Sequence, residues 1–551
     1  MTSEGARHPG ARRAAVPAAL VALSLLLNTL GITWGQPAGA DWDFDSIAGM
    51  QSVKEARYLF GEWRHKYPPV HFALNAVLYA PLLTHWFGSP ARAPLADGRV
   101  LADPELARRF GILIVLSRAL SAAMGAAAVL AVYLTALLLL RDRRAALFAG
   151  LSLALCQMFV FYSHLGNLDV PAAFWFSWAM HAAARVVVRQ RLGDFVLAGL
   201  FCALATGTKD AALGFAVGLA AAVAVGLGRQ AAPWRPWRRG SFVTGFSLQV
   251  MAGLAVFCAA LALANAPSGG WEPFARRLGH WMEGPGTVEY NLGFAGQPGL
   301  LEKASRDMYV SLGWPLAAAA AVSIPWAAAR APAAAAFGVL PTLAFYLVVV
   351  MNARLVAPRF FVPGFVSLAV VIGAGLAAWS RWRTIPRAAR AAVPAAVFGL
   401  SALYCLALDL EMLHDTRYRA EAWFREHARP GALVATLAPA TLAPRLQFMG
   451  FRHEWRYGRP TRRGLLERGG RPDYLVLSEK YFTNPALFEP SFLRGLLEGK
   501  EGYALRATLR KEHLPPAPGL LGLAGRPRPW LDQVSPTLYI LESSSSIQAS
   551  H

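Results

Sequence analysis

Acidic residues cluster at two places in the sequence where they could do chemistry. Asp41, Asp43 and Asp45 alternate with aromatic residues, and Asp169 lies in the segment NLDVP at 167–171. A carboxylate can accept a proton as a general base or bind a divalent cation. The same residues could instead be solvated loop acids or helix N-caps, since Asp often stands directly before a helix. Either a catalytic site or ordinary capping is therefore compatible with these residues alone.

Basic residues near the ends of apolar segments could supply the complementary charge. A cation at membrane depth is costly, so it is usually paired or functional. Lysine and arginine bind phosphate well, and arginine suits its geometry in particular. The alternatives are that these side chains extend to lipid headgroups or pair with nearby carboxylates. The candidates for binding an anionic lipid phosphate are Lys66, Arg118, Lys209, Arg354 and Arg359.

The composition indicates which elements must position these residues. Of the 551 residues, 55% are hydrophobic and only 16% are charged, against about 25% charged in an ordinary globular chain. The mean hydropathy is +0.36, and the apolar residues stand in blocks long enough to cross a bilayer. A soluble enzyme, a disordered chain and a disulfide-stabilised domain are therefore excluded. All four cysteines lie inside apolar blocks, where they are typical of small core residues: Cys156, Cys202, Cys258 and Cys405.

The apolar blocks predict an α-helical polytopic membrane protein with about eleven transmembrane helices. The net charge is +21, but the basic clusters fall in every second gap between blocks. This alternation indicates membrane topology, with the N-terminus in the cytoplasm, and argues against nucleic-acid binding. The predicted spans are 16–34, 111–140, 145–163, 171–188, 194–208, 211–227, 242–264, 308–328, 331–351, 360–380 and 391–408.

The predicted domains follow from these spans. Residues 1–15 form a cytoplasmic N-terminus, and residues 16–408 form the transmembrane domain, with long outside loops at 35–110 and 265–307. The apolar stretch 70–87 is expected to be a helix in the outer interface, because a further crossing would reverse the charge pattern. Residues 409–551 predict a small extracytoplasmic α/β domain with a frayed tail. Its expected helix is Thr416–Ala428, and its expected strands are Ala432–Leu437, Tyr474–Leu477, Ala504–Leu509 and Thr537–Leu541.

Several motifs in this order resemble glycosyltransferase family 39, which includes protein O-mannosyltransferases and the lipid A aminoarabinose transferase. The resemblance covers about residues 16–380 and continues weakly into the C-terminal part. It implies a GT-C fold, a helical membrane body with its site on the outer face. The motifs are KYPP at 66–69, SRALSA at 117–122, FYSHLGNLDVPAAFW at 161–175 and TGTKDAA at 206–212, then RYRAEAWFREHARPGALV at 417–434 and PDYLVLS at 472–478.

The resemblance implies a role for individual residues. Asp45 matches the loop acid that acts as catalytic base or positions the acceptor, with Asp43 as the alternative. Asp169 matches the second essential acid, and Lys66 matches the lysine placed near the donor phosphate.

The sequence departs from the family pattern at two places that concern a metal. Ser46 follows Asp45 where the family has Glu, and His65 precedes Lys66 where some members have a metal-binding Glu. His65 and His280 are the weak candidates for metal ligands. The cofactor therefore stays unknown, with a divalent metal ion as one option.

The function that the resemblance implies is direct sugar transfer from a polyprenyl-phosphate donor to an acceptor at the outer face of a bacterial inner membrane. The Ala-, Arg- and Pro-rich composition is typical of GC-rich bacteria, which favours undecaprenyl phosphate as the carrier. The expected partners are this donor, an envelope acceptor (lipid, glycan or protein) and the bilayer, with no nucleic acid. The alternative is a transporter or flippase, although transporters concentrate ionisable groups near the bilayer midplane.

The basic clusters make a testable prediction about topology. A reporter fused after residue 408 should lie outside the cytoplasm, and a reporter fused after Arg143 should lie inside it. Paired alkaline phosphatase and green fluorescent protein fusions measure this. The same side for both fusions would contradict the predicted spans.

Overall fold

The apolar segments form helices, as their composition predicts. A computed structural model of the protein describes residues 9–37, 42, 67–94, 103–231, 240–266, 271–283, 297–353, 356–456, 470–479, 490–511 and 534–544. The contacts divide the chain into two compact units. The first, called the helical unit below, contains residues up to 32, together with 51–93 and 116–406. The second, called the C-terminal unit below, contains residues 33–50, 94–115 and 407–551.

The helices up to residue 265 overlap each span predicted in this region. They are α1 Pro9–Thr29, α2 Val70–Phe87, α3 Pro104–Leu140, α4 Arg143–Ala154, α5 Gln157–Ser163, α6 Asp169–Arg189, α7 Leu192–Thr208, α8 Ala212–Ala231 and α9 Gly240–Asn265.

The helices that follow, up to residue 413, include two that no predicted span covers, α10 and most of α11. They are α10 Trp271–Glu283, α11 Gln297–Leu312, α12 Trp314–Arg330, α13 Pro332–Phe345, α14 Val362–Arg381 and α15 Arg387–Leu413. A π-helical turn, Tyr346–Val350, continues α13, and a 3₁₀ turn, Pro358–Phe361, precedes α14.

Judged by the length and composition of the helices, the structure has fewer membrane spans than the sequence predicts. Among the described residues, five helices are long and apolar enough to cross a membrane, and up to seven if each bent pair counts as one span. Four predicted spans are therefore missing from this number. Three of them, α1, α7 and α8, provide apolar stretches shorter than 18 residues, and the fourth, α6, is long enough but is not among the helices that are apolar enough. The helical membrane fold is therefore confirmed, and the count of eleven is not.

Two sharp bends interrupt the helices and are linked by hydrogen bonds. Helices α4 and α5 meet at 59°, and α11 and α12 meet at 116° at Gly313, whose φ is +77°. Gln157 at the first bend donates to the Val310 carbonyl at the second bend (2.6 Å). Cys156 beside it donates to the Ser311 carbonyl (3.7 Å). These bonds satisfy carbonyl groups that the end of α11 leaves free.

Glycine allows the backbones of two helix pairs to approach closely. A β carbon on Gly199 of α7 would lie 2.1 Å from the Gly253 carbonyl oxygen of α9. A β carbon on Gly218 of α8 would lie 2.4 Å from the Leu340 carbonyl oxygen of α13. Small residues at helix crossings are typical of membrane proteins, where packing supplies much of the association energy.

The C-terminal unit contains a five-stranded mixed sheet in the order β2-β1-β3-β5-β4. Strand β1 pairs in parallel with β2 and β3, and β5 pairs antiparallel with β3 and β4. The helix and four strands expected from the sequence are present, whereas β2 and α17 were not predicted. The elements are α16 Thr416–His427, β1 Leu433–Thr436, β2 Arg452–Trp455, β3 Tyr474–Ser478, α17 Pro490–Leu497, β4 Tyr503–Leu509 and β5 Leu538–Ser543.

Candidate active site

Asp169 and Lys209 form a buried ion pair in the helical unit. Asp169 is the first residue of α6, where its charge is favoured by the helix dipole, and its backbone N–H donates to the Asn167 side-chain oxygen (3.1 Å). Lys209 directly follows α7, and its Nζ donates to Asp169 Oδ1. Only 4% of Asp169 and 8% of Lys209 are exposed. Two of the sequence-predicted site residues, from different motifs, therefore meet in space.

Asp210, the next residue along the chain, pairs in turn with a residue of the segment 265–307, which the sequence predicts to be an outside loop. Arg277 of α10 donates from Nε to Asp210 Oδ2 (2.9 Å) and from Nη2 to Asn265 Oδ1 (2.7 Å). Burial raises the pKa of the Asp210 carboxyl to about 6, against the opposing charge of Arg277. Within the described part of the chain, Arg277 Nη1 and Asp210 Oδ1 are buried and take part in no hydrogen bond.

Further cations lie around the 3₁₀ turn before α14. Lys209 Nζ lies 5.0 Å from the centroid of the Phe360 ring, and the Arg359 guanidinium carbon lies 5.7 Å from the same centroid. Lys303 of α11 donates to the Val356 carbonyl (3.1 Å) and to Asp307 (2.6 Å). Two of the predicted phosphate ligands, Lys209 and Arg359, thus contact one aromatic ring, which is an arrangement that stabilises cations away from water.

The start of α2 packs against the same motif that carries Lys209. A β carbon on Gly207 would lie 2.7 Å from Val70 Cγ2 and 3.4 Å from the Ala264 side chain. Val70 follows the KYPP motif directly in the chain. The residue that follows the KYPP motif therefore contacts the TGTKDAA motif.

Several predicted site residues lie outside the described residues. These are Asp43, Asp45, His65 and Lys66, together with Arg354 and the side chain of His280. Across the described ranges, no group of three or more His, Cys, Asp or Glu side chains is arranged to hold a metal ion. The roles predicted for these residues remain predictions.

Arg118, a predicted phosphate ligand, has contacts at the end of α1. It is fully buried, and its Nη1 donates to the Ile32 carbonyl (2.7 Å). The His164 Nε2 lies 2.5 Å from the Leu30 carbonyl oxygen of the same turn. Both side chains therefore contact carbonyls of the turn that follows α1, and a role for Arg118 at the phosphate stays a prediction.

Sequence reasoning missed Asp210, Arg277, Asn265 and Phe360. Asp210 lies inside the motif TGTKDAA at 206–212, but from the sequence only its neighbour Lys209 is assigned to the site. Arg277 lies in a loop whose sequence has no spacing that would indicate its partner. The one available signal was the adjacent opposite charges of Lys209 and Asp210 beside an apolar span, which must be neutralised separately if both are buried.

The sequence of the central helices matches a known family. Residues 110–260 match the sequence profile of dolichyl-phosphate-mannose-protein mannosyltransferases. The predicted resemblance is confirmed. The matched segment contains Asp169, Lys209, Asp210 and Asn167, so the family similarity covers the centre of the site. It supports the prediction of a glycosyltransferase.

Three solved structures are similar to this chain. ArnT from Cupriavidus metallidurans bound to undecaprenyl phosphate is 16% identical, with a TM-score of 0.45 over 95% of this chain and 97% of that one. The oligosaccharyltransferase of Archaeoglobus fulgidus is 16% identical, with a TM-score of 0.42 over 75% and 58%. The protein O-mannosyltransferase Pmt1-Pmt2 complex of S. cerevisiae is 20% identical, with a TM-score of 0.28 over 48% and 33%. No curated protein sequence matches the chain.

The Asp169–Lys209 pair makes a prediction about stability. Lys209→Met leaves the Asp169 carboxylate buried without a partner, which typically costs about 3–5 kcal/mol. We expect a marked fall in the unfolding temperature of the purified protein in detergent. The double variant Lys209→Met/Asp169→Asn removes the unpaired charge and should recover part of the loss.

Lys303→Met is the matched control for this experiment. Its pair with Asp307 is also formed by a lysine and an aspartate, but 25% of the Lys303 side chain is exposed, against 10% for Lys209. Water should therefore solvate the remaining carboxylate more readily. Equal effects of Lys209→Met and Lys303→Met would contradict the view that the first pair is held by burial.

Proposed function

We propose that this protein is a membrane glycosyltransferase that moves a sugar from a polyprenyl-phosphate donor to an acceptor at the outer face of a bacterial inner membrane. The observation that carries the proposal is the buried Lys209–Asp169 pair, with Arg277 and Arg359 nearby, inside or beside the segment that matches the mannosyltransferase family. The description of that family names a lipid-phosphate sugar as donor. Undecaprenyl phosphate is the bacterial lipid of that chemical class.

The reaction needs positive charge more than it needs a general acid. The acceptor oxygen attacks the anomeric carbon, and the bond from that carbon to the phosphate oxygen breaks. The lipid phosphate leaves with the bonding electrons, and a base takes the acceptor proton. Cations placed where the negative charge develops lower the barrier to this step. Phosphate is already a good leaving group, so protonation of its oxygen is unnecessary.

The described residues supply that charge in two forms. Lys209 is largely neutralised by Asp169, which holds its ammonium group in a fixed position. Arg277 has one buried nitrogen, Nη1, without a hydrogen-bond partner in the described part of the chain. A buried guanidinium N–H without a partner costs free energy unless an acceptor such as a phosphate oxygen reaches it. We therefore assign Arg277 to the donor phosphate, along with the predicted ligands Lys66, Lys209, Arg118 and Arg359.

The remaining roles follow the sequence-based predictions. Asp45, with Asp43 as the alternative, takes the proton of the acceptor, and Asp169 is the second essential acid. To that predicted catalytic role of Asp169 we add that it holds Lys209. The acceptor is an envelope lipid, glycan or protein. We also keep the eleven predicted crossings with a cytoplasmic N-terminus, because a span can be as short as about 17 residues. The apolar helices α1, α7 and α8 are about that long, and α6 has 21 residues.

Substitution of the proposed base tests this function. Asp45→Asn keeps the side-chain shape and removes the proton acceptor, so transfer should fall about 10²–10⁴-fold, the usual effect of losing a general base. Asp43→Asn is the matched control and should have a smaller effect. The assay is transfer of labelled sugar from a panel of undecaprenyl-phosphate sugars to envelope extract, with unfolding temperatures measured in parallel. Near-normal transfer by both Asp45→Asn and Asp169→Asn would overturn the proposal.

A further inference from the structure

Aromatic and arginine side chains form a buried cluster in the C-terminal unit. Its members, called the aromatic–arginine clamp below, are Trp34, Trp42, Arg417, Tyr418 and Arg445. Trp34 lies in the turn that follows α1 and Trp42 lies in the predicted first loop, whereas the other three come from α16 and the loop after β1. The clamp thus joins two parts of one unit that are almost 400 residues apart in sequence.

Asp415 organises the first half of the clamp. Its carboxylate accepts from Trp34 Nε1 (2.9 Å), from Arg417 Nε and Nη2 (2.8 and 2.6 Å) and from the Ser535 backbone N–H (2.9 Å). Asp415 and Arg417 are both fully buried. A buried charge pair is tolerated only when the geometry is good and the remaining hydrogen-bonding positions are filled, and both conditions are met here.

Trp42 fills the centre of the clamp. Its ring lies 3.9 Å from the Arg417 guanidinium carbon and 5.5 Å from that of Arg445. The Trp34 ring contacts it edge-on at 5.9 Å, and the Tyr418 ring lies 5.0 Å away. Trp42 is fully buried, so its surroundings are those of a core residue.

The backbone leading to Trp42 is fixed as well. Gly35 has a φ of +75°, and a β carbon there would lie 2.6 Å from Trp42 Cδ2, so only glycine fits. The Gly35 N–H donates to the Tyr418 hydroxyl (2.8 Å). Arg445 donates to the Gln36 carbonyl and is itself held by Glu421 through two hydrogen bonds (2.8 and 2.7 Å).

The position of Trp42 in the sequence indicates what this arrangement does. Trp42 stands between Asp41 and Asp43, and three residues before Asp45. A catalytic group must be held within a fraction of an ångström of its working position, by neighbours that are themselves held in place. Trp42 is the last described residue before both candidate bases, and consecutive Cα atoms are about 3.8 Å apart, so the anchored residue directly precedes them in the chain.

We propose that Arg417 and Arg445, acting through Trp34, Gln36 and Trp42, are positioning residues for the acidic loop that carries the base. This inference rests on the proposed function, since it assigns the clamp to the same reaction. It adds a role for the C-terminal unit, which places the base for transfer by holding the start of the loop.

Two loosening variants and one conservative variant test the clamp. Trp42→Ala removes the ring, and Arg445→Gln removes the guanidinium that holds Gln36 and Glu421. Each should lower kcat about 10- to 100-fold, the scale expected for misplacing a reacting group by about 1 Å, and leave the donor KM unchanged. Trp42→Phe should retain most of the activity, because it keeps a ring between the guanidiniums and Trp42 Nε1 has no hydrogen-bond partner in the described part of the chain.

Arg506→Gln is the matched control in the same unit. Arg506 pairs with Glu542 on the neighbouring strand, and its side chain is 41% exposed, so its loss should leave kcat unchanged. Hydrogen exchange of the peptide covering residues 33–42 gives a second readout. It should become faster in Trp42→Ala and Arg445→Gln and stay at the wild-type rate in Arg506→Gln.

The outcomes separate this proposal from the proposed function. If Asp45→Asn is inactive but Arg445→Gln and Trp42→Ala fold and turn over at the wild-type rate, the clamp proposal is wrong and the proposed function stands. Should Trp42→Ala fail to fold, Arg445→Gln decides alone. Unchanged exchange of residues 33–42 in Arg445→Gln would also overturn the clamp. A wild-type protein that transfers no sugar from the donors would overturn the proposed function, and the clamp proposal with it.

Discussion

Two adjacent opposite charges, Lys209 and Asp210, are buried at the turn between α7 and α8, and each needs its own partner. An isolated buried charge costs several kcal/mol even after the protein has relaxed around it. Neighbouring residues in a turn cannot easily satisfy each other, and here Lys209 pairs with Asp169 while Asp210 pairs with Arg277. The first pair joins the start of α6 to the end of α7, and the second attaches α10. The arrangement of this part of the helical unit depends on these two ion pairs.

The same constraint suits the site to the anion that we propose it binds. Side chains held by partners keep their position without a ligand, so their charge is already in place when a phosphate arrives. The surrounding apolar helices exclude water, which strengthens each charge interaction relative to its value in solution. Phe360 contributes in the same way, since its ring faces a lysine and an arginine. The stability of the unit and the affinity for a lipid phosphate that we propose thus have one physical origin.

The sequence predicted the parts of the structure that depend on local pattern. Apolar block length located the helices from α3 to α9, and short strand-like runs located β1, β3, β4 and β5. The motif order brought Asp169 and Lys209 into one site before any contact was known. Pairings over long separations were not predictable, because no spacing links Arg277 to Asp210 or Trp42 to Arg417. Strand β2 was missed because its residues are mostly polar and only partly buried, which gives no alternation to recognise.

The central claim is that the buried cations of the helical unit bind the phosphate of a polyprenyl lipid. The most direct measurement is native mass spectrometry of the purified protein with equal amounts of undecaprenyl phosphate and undecaprenol, which share the same hydrocarbon chain. The account predicts that the phosphate lipid is retained and that the alcohol is not, and that Arg277→Gln lowers retention of the phosphate lipid selectively. Equal retention of the two lipids by the wild-type protein, with no effect of Arg277→Gln, would contradict it.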